Sequence, residues 1–242
     1  MAHQADILVI GGGIAGTSIA ATLAAQANVI LLERESQPGY HATGRSAAYF
    51  APSYGNETVQ LLSQASADFF YRPPSDFSPS PLIRPREAWF IGRSDQQAAL
   101  DELGKANPEL EYKNAHQVCE RVPIIREDYV HGAMADSRGG DLDVDAILQG
   151  YLRQFRGQGG TLITNQNVTS LQFADGLWRV TTPEDEFSAP TIVNAAGAWA
   201  DQIAQLAGLP PLGIQPLRRT ACLIELPSHL DAKNWPLMID AD

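Results

Sequence analysis

Cysteine is almost missing from this sequence. The two present, Cys119 and Cys222, stand far apart and form neither a disulfide framework nor a metal-ligand spacing, which fits a reducing compartment. Basic residues are scarce as well: 17 Lys and Arg face 28 Asp and Glu, a formal charge of -11 over 242 residues. A surface that acidic repels phosphate backbones and anionic lipid, so sequence-independent nucleic-acid binding is excluded. No stretch reaches the roughly 18 uncharged apolar residues that a bilayer span requires. Residues 7–25 are largely apolar, but no basic region precedes them, and Gly11, Gly12, Gly13 and Gly16 interrupt them. They read as part of the folded protein and not as a secretory signal, and a cytoplasmic location is the expectation. His3, His41, His116, His131 and His229 are scattered without ligand spacing, so no metal site is expected.

What is there is an ordinary globular balance, 44% apolar and 19% charged, which excludes a disordered chain. Residues 6–10 and 28–32 are short β-branched or leucine-rich runs, the look of strands buried on both faces, and residues 14–25 between them read as a helix. That is a β-α-β unit, whose crossover makes the strands parallel. Further along, residues 57–71, 96–105, 115–122, 146–158 and 199–207 read as helices. Residues 88–92, 130–135, 161–164, 167–173, 178–182 and 191–194 read as strands, with Asp175-Gly176 as a hairpin turn. Residues 72–85 are rich in proline and serine and mark a boundary or a surface connection. Residues 215–225 read as a long strand, which either pairs with residues 88–92 and their neighbours or lacks its partners in this chain.

Gly11, Gly13 and Gly16 satisfy G-x-G-x-x-G between the first strand and the first helix. The first glycine permits the tight turn, the second lets the backbone approach a pyrophosphate, and the third lets helix and strand pack closely. The phosphates then sit at a helix N-terminus, where free N–H groups and the dipole favour anions. Glu33, at the end of the second strand, is placed to accept hydrogen bonds from a ribose diol. This pattern alone does not separate NAD from FAD, and an NAD-dependent dehydrogenase stays open on these residues.

Four blocks resemble a known family. They are Gly39-Tyr-His-Ala-Thr-Gly-Arg-Ser-Ala-Ala48 after Leu31-Leu-Glu-Arg-Glu35, Asp143-Val-Asp-Ala146 leading to Gly150-Tyr-Leu-Arg153, Val193-Asn-Ala-Ala-Gly-Ala-Trp199, and Gln215-Pro-Leu-Arg-Arg219. In this order they resemble the FAD-dependent D-amino-acid oxidase/dehydrogenase superfamily, and within it the D-arginine dehydrogenase-like flavoproteins. The resemblance implies an α/β fold: an FAD-binding Rossmann-like domain with a parallel sheet, plus part of an antiparallel-sheet substrate-binding domain. It implies FAD as cofactor. Gly11, Gly13 and Gly16, with Ile14 and Ala15, would hold the pyrophosphate, and Glu33 with Arg34 the adenosine ribose region. Thr43, Gly44, Arg45, Ser46, Ala47 and Ala48 would run beside the pyrophosphate, ribityl chain and isoalloxazine. Val168 would touch the adenine, and Ala195, Ala196 and Gly197 would approach the cofactor through backbone.

The same resemblance implies residues 1–75 and 140–212 as the FAD-binding domain, and 80–135 and 213–242 as a partial substrate-binding domain. Complete members are longer, so the chain looks C-terminally truncated. The implied reaction oxidises the Cα–N bond of an amino acid, most simply a D-amino acid, by hydride transfer to flavin N5. The imino acid formed hydrolyses to a 2-oxo acid and ammonia. A 2-hydroxy-acid oxidoreductase of the same superfamily and an inactive nucleotide-binding fragment are the alternatives. For the substrate carboxylate, Arg218 and Arg219 are adjacent in the strand-like stretch, so only one can face the pocket, and Arg219 is favoured. Tyr49 and Tyr54 follow the flavin loop and would add hydroxyls to the site. Family members of the D-arginine dehydrogenase kind carry histidine at the position of Tyr49, which leaves the substrate side chain open. The general base and the electron acceptor, quinone or oxygen, are likewise open.

Overall fold

The computed structural model of the chain describes residues 2–218 and 220–241, so Arg219 lies outside the described residues. The fold is α/β, and the described chain divides into two compact units that interleave along the sequence. The first comprises 1–47, 74–79 and 144–220; the second comprises 48–73, 80–143 and 221–242. The first segment of the first unit thus ends earlier than residue 75, and helix Glu57–Tyr71 belongs to the second unit.

In the first unit, the strands Ile7–Ile10 and Val29–Leu32 flank helix Ile14–Ala24 as the β-α-β pattern predicts. They form the centre of a four-stranded parallel sheet completed by Thr161–Ile163 and Thr191–Asn194. Alternation sends Leu8, Ile10, Ile30 and Leu32 into one core and Val9, Val29 and Leu31 into the other. The second of these cores is closed by Ile14–Ala24 and Val144–Gly157. Ile14–Ala24 buries only small residues, Gly16, Thr17, Ala20, Ala21 and Ala24, which lets it lie close to its neighbours. The first core is closed by a second sheet, in the order Ala2–Gln4, Glu186–Ala189, Leu177–Thr181, Ser170–Ala174. Asp175 and Gly176 both take positive φ, +53° and +79°, and close the predicted hairpin. Helix Val144–Gly157 starts two residues before the predicted 146, with Asp145 in its first turn.

In the second unit, Ala88–Gly92 lies between Leu237–Asp240, which is parallel to it, and Gly132–Asp136, which is antiparallel; Glu111–Asn114 completes the sheet. Phe90 and Leu100 of helix Gln97–Ala106 share one core, and Trp89 and Val118 of helix Ala115–Arg121 share the other. Tyr49–Phe50, Gly140–Leu142 and Ile83–Pro85 form a small antiparallel sheet. Among the described residues no helix is long and apolar enough to cross a membrane.

The expected strand at 215–225 is corrected. The described residues there belong to no ladder, and Leu217, Leu223 and Ile224 are 83%, 105% and 86% exposed. The reason is pairing capacity: Gly132–Asp136 holds one edge of Ala88–Gly92 and Leu237–Asp240 holds the other. Without a place beside Ala88–Gly92, the segment leaves its backbone polar groups to water. Trypsin is therefore expected to cut after Arg218 well before it cuts inside either core. Mass spectrometry of a digestion series checks this, and a first cut after Arg153 or Arg179 would contradict it.

Asp136 anchors the strand end of the second unit. Its side chain is 2% exposed and accepts from Arg138 through the backbone N–H at 3.0 Å, Nε at 2.9 Å and Nη2 at 3.0 Å. Burial pushes the carboxyl up, but the Arg138 hydrogen bonds and charge, with the Ser53 hydroxyl, outweigh it and hold it below the usual range. A depressed folded pKa adds stability above the unfolded value of about 3.9, lost as pH falls through the folded value. Asp136→Asn is expected to lower stability by about 2 kcal/mol at pH 7. The gap should begin to narrow below about pH 4, where the unfolded chain protonates, and close only as pH falls through the lower folded value; denaturant melts at pH 7 and at a series of pH values below about 4 measure it.

Candidate dinucleotide site

Strand Ile7–Ile10 has Val29–Leu32 on one side and Thr191–Asn194 on the other, so the connections leave it in opposite directions. Crevices beyond the carboxyl ends of strands at such a reversal are the ligand sites of open α/β sheets. A cavity of about 370 Å³ opens there. Its walls are the first crossover, the end of Val29–Leu32, the loop from Gly39 to Thr43, residues 166–168 and residues 195–206.

The glycines shape it. Gly11 takes φ +110°, and a Cβ there would run into the Ala195 carbonyl. A Cβ on Gly16 would run into the Gly11 carbonyl, so helix Ile14–Ala24 can start this close to the strand only with glycine. No side chain of the N-cap residue Gly13 covers the helix start, and no acid stands in its first turn. The first-turn N–H groups have no intrahelical acceptor; Ile14 N–H is held from the loop by Thr43 Oγ1 at 3.0 Å.

Glu33 is 8% exposed and sits on the cavity wall. Its Oε2 accepts from the Gly12 N–H at 2.7 Å and its Oε1 from the Glu35 N–H at 2.8 Å. Its backbone is tied to the strand Thr161–Ile163 and to Gln166 at 2.9 and 2.8 Å. The loop from Gly39 is fixed by Gly39 N–H donating to the Gly12 carbonyl at 3.0 Å and Gly44 N–H donating to the Gly39 carbonyl at 2.7 Å.

Of the residues singled out from the sequence, Gly11, Gly13, Ile14, Ala15, Glu33, Arg34, Thr43, Val168, Ala195, Ala196 and Gly197 all line this cavity, and Gly16 packs against Gly11. Gly44, Arg45, Ser46 and Ala47 are exposed and outside its lining. Ala48 lies in the second unit, where its carbonyl accepts from Leu142 N–H at 3.1 Å. Tyr49 is also in the second unit, and its hydroxyl donates to the Arg86 carbonyl. Burial and the Asp136 charge push that hydroxyl far above its ordinary range, so it acts as a donor. Tyr54 is 52% exposed, and Arg218 is exposed in the unpaired segment. The cavity also takes in His41, Trp199 and Ile203, which sequence reasoning left out. Trp199 and His41 stand inside the recognised blocks, but nothing in their spacing marks them as lining residues.

The site therefore has the parts a dinucleotide needs: a glycine-built approach, a helix start with a glycine N-cap and no acid in its first turn, and a buried acid at the strand end. Residues 6–242 match the DAO family, FAD dependent oxidoreductase. L-2-hydroxyglutarate dehydrogenase of Escherichia coli K12 is 28% identical over 223 residues, covering 85% of this chain and 50% of that protein. The mitochondrial dimethylglycine dehydrogenase of Homo sapiens is 27% identical over 223 residues, covering 85% of this chain and 25% of that one. Among solved structures, glycine oxidase from Geobacillus kaustophilus superposes with a TM-score of 0.74 at 18% identity, over 85% of this chain and 59% of that one. L-proline dehydrogenase from P. horikoshii gives 0.72 at 20% identity, over 86% and 57%. The chain thus spans about half the length of the hydroxyglutarate enzyme and a quarter of the dimethylglycine enzyme. It belongs to the DAO family of FAD dependent oxidoreductases, and its cofactor is FAD.

Proposed function

We propose that this chain works in an oxidoreductase that removes two electrons and two protons across the Cα–N bond of an amino acid, a D-amino acid in the first instance. The first unit is the cofactor-binding part and the second unit contributes to the substrate side. The observation that carries the cofactor assignment is the buried Glu33 at the strand end beside the glycine-built crossover. Gly11, Gly13, Ile14, Ala15 and Gly16 would hold the pyrophosphate, with the helix dipole opposing its charge. Glu33 and Arg34 would hold the ribose, and Val168 the adenine edge. Thr43 to Ala48 and Ala195 to Gly197 would approach the remainder of the cofactor. When bound, FAD supplies a two-electron acceptor.

The protein's own part is to seat the substrate carboxylate, present its Cα–H, and exclude water. Arg218 and Arg219 supply guanidinium groups suited to bidentate capture of a carboxylate, with Tyr54 as a further hydroxyl donor. Tyr49 would act through the Arg86 carbonyl it already holds. The imino product takes up water and yields a 2-oxo acid and ammonia.

A second reading, oxidation of a 2-hydroxy acid, is favoured by the likeness to L-2-hydroxyglutarate dehydrogenase. Both readings share a carboxylate beside the reacting carbon and differ in the heteroatom. The test is anaerobic addition of D- and L-amino acids, N-methylated glycines and 2-hydroxy acids to the purified yellow protein. Bleaching of the visible flavin band by D-amino acids is expected. Bleaching by 2-hydroxy acids alone establishes the second reading, and retention of FAD with no bleaching by any of them overturns both.

A further inference from the structure

Four side chains from three separate stretches of the first unit meet at the cavity, three of them in its lining. Glu35 Oε1 lies 2.7 Å from His41 Nε2 and 3.1 Å from Arg34 Nε. Arg34 Nη2 also lies 3.0 Å from that same His41 nitrogen. Beneath them is Trp199: the Arg34 guanidinium carbon is 4.2 Å from its ring centroid, and the His41 ring centroid is 4.6 Å from it. Arg34, His41 and Trp199 line the cavity, whereas Glu35 does not. The Arg34 and His41 side chains are 37% and 32% exposed, against 8% for the lining residues Glu33 and Val168. The Arg34 and His41 side chains are therefore more open to solvent than those buried lining residues.

Its construction is that of a part made to open. Glu35 is fixed, since its N–H donates to Glu33 Oε1 and its carbonyl accepts from Asn165 N–H at 3.0 Å. The hydrogen bond from His41, followed by Arg34, holds its carboxyl below the usual carboxylate range, so the post stays charged. The two arms are held less well. One imidazole nitrogen cannot donate to Glu35 and accept from Arg34 at once. With its proton directed to the carboxylate at the shorter distance, Nε2–H faces a second donor on Arg34. Half-exposed ion pairs and cation–π contacts of this kind are weak individually. A rigid wall would be built from buried contacts instead.

We propose that Arg34 and His41, posted on Glu35 and seated on Trp199, form a strap that lifts to let FAD enter or leave the cavity and closes over it once bound. The inference rests on FAD being the ligand of this cavity. A strap acts on the rates in both directions, because loosening the closed form eases entry and exit alike. A simple ligand contact acts mainly on exit.

The test is FAD exchange on the purified full chain, followed by flavin fluorescence, for wild type and for Glu35→Gln, His41→Gln and Trp199→Leu. Glu35→Gln keeps the side-chain volume and so keeps the test alive should Trp199→Leu fail to fold, which circular dichroism reports. Association and dissociation rate constants are both expected to rise about five- to tenfold. The dissociation constant should change less than about threefold. A rise in dissociation alone makes these residues plain contacts and overturns the strap, and so do unchanged rates. Failure of the wild type to take up FAD is a different result: it removes the cofactor from this cavity and the strap with it.

Discussion

Replacing Gly11 by alanine is expected to abolish stable flavin binding. Two costs add at this position. At φ +110° an L side chain is strained whatever the space around it, worth about 1–3 kcal/mol. The new methyl would also meet the Ala195 carbonyl oxygen, with the Ala195 carbonyl carbon at 2.8 Å and Ala196 Cα at 3.1 Å. All three are backbone atoms, and the Ala195 N–H is bonded to the Ile10 carbonyl at 2.9 Å. Relief therefore moves the wall formed by Ala195, Ala196 and Gly197 or moves the crossover itself. The expected loss in FAD affinity is at least about a hundredfold, roughly 2.7 kcal/mol. Gly208→Ala is the control: φ is again positive, +72°, but a Cβ there meets nothing within 4 Å and the residue is outside the cavity lining. It should cost about 1–2 kcal/mol of stability and leave FAD bound. The two variants, compared by flavin absorbance after gel filtration and by thermal melting, separate backbone strain from collision. Equal flavin retention in both would show that the close approach of Gly11 to Ala195 does not shape the site.

The contrast between these glycines shows what a sequence carries and what it does not. The spacing of Gly11, Gly13 and Gly16 between a buried run and an apolar helix predicts the crossover, because only glycine meets the steric demand of that turn. The continuous runs at 6–10 and 28–32 predict strands covered on both faces, and the two cores on either side of them bear this out. Short pairings are a different matter. Tyr49–Phe50, Ile83–Pro85 and Gly140–Leu142 hold one another in a sheet, yet each is too short for a period to register. Their existence depends on which distant segment arrives as partner. The same dependence works in reverse at 215–225, where the composition favours a strand and the described residues join no ladder. Leu237–Asp240 takes the edge instead. In the site, backbone-built features were legible because glycine and a strand-end acid leave a fixed spacing. The meeting of Arg34, Glu35, His41 and Trp199 was not, since it joins a strand end, a loop and the 3-10 turn Gly197–Trp199.

Glu33→Gln is expected to be nearly as damaging as deleting the side chain, although it preserves the shape. Glu33 uses both oxygens on backbone donors, Oε2 on Gly12 N–H and Oε1 on Glu35 N–H. Glutamine offers one carbonyl oxygen and one NH2, so in either orientation one buried N–H faces another donor. That arrangement forfeits a hydrogen bond and adds a repulsion, at about 1–3 kcal/mol in the protein without cofactor. Glu33→Ala instead leaves room for a water, which can accept from one N–H and relieve part of the loss. The remaining lone pairs of the carboxylate are what a ribose diol would engage, so the amide also weakens cofactor binding. About tenfold or more is expected, or roughly 1.4 kcal/mol. Loss of stability in the protein freed of flavin tests the two-donor role, and FAD titration tests the ribose role. Each measurement stands without the other. A Glu33→Gln variant as stable as wild type, binding FAD as tightly, would mean that the strand-end acid neither holds the crossover nor reads the cofactor.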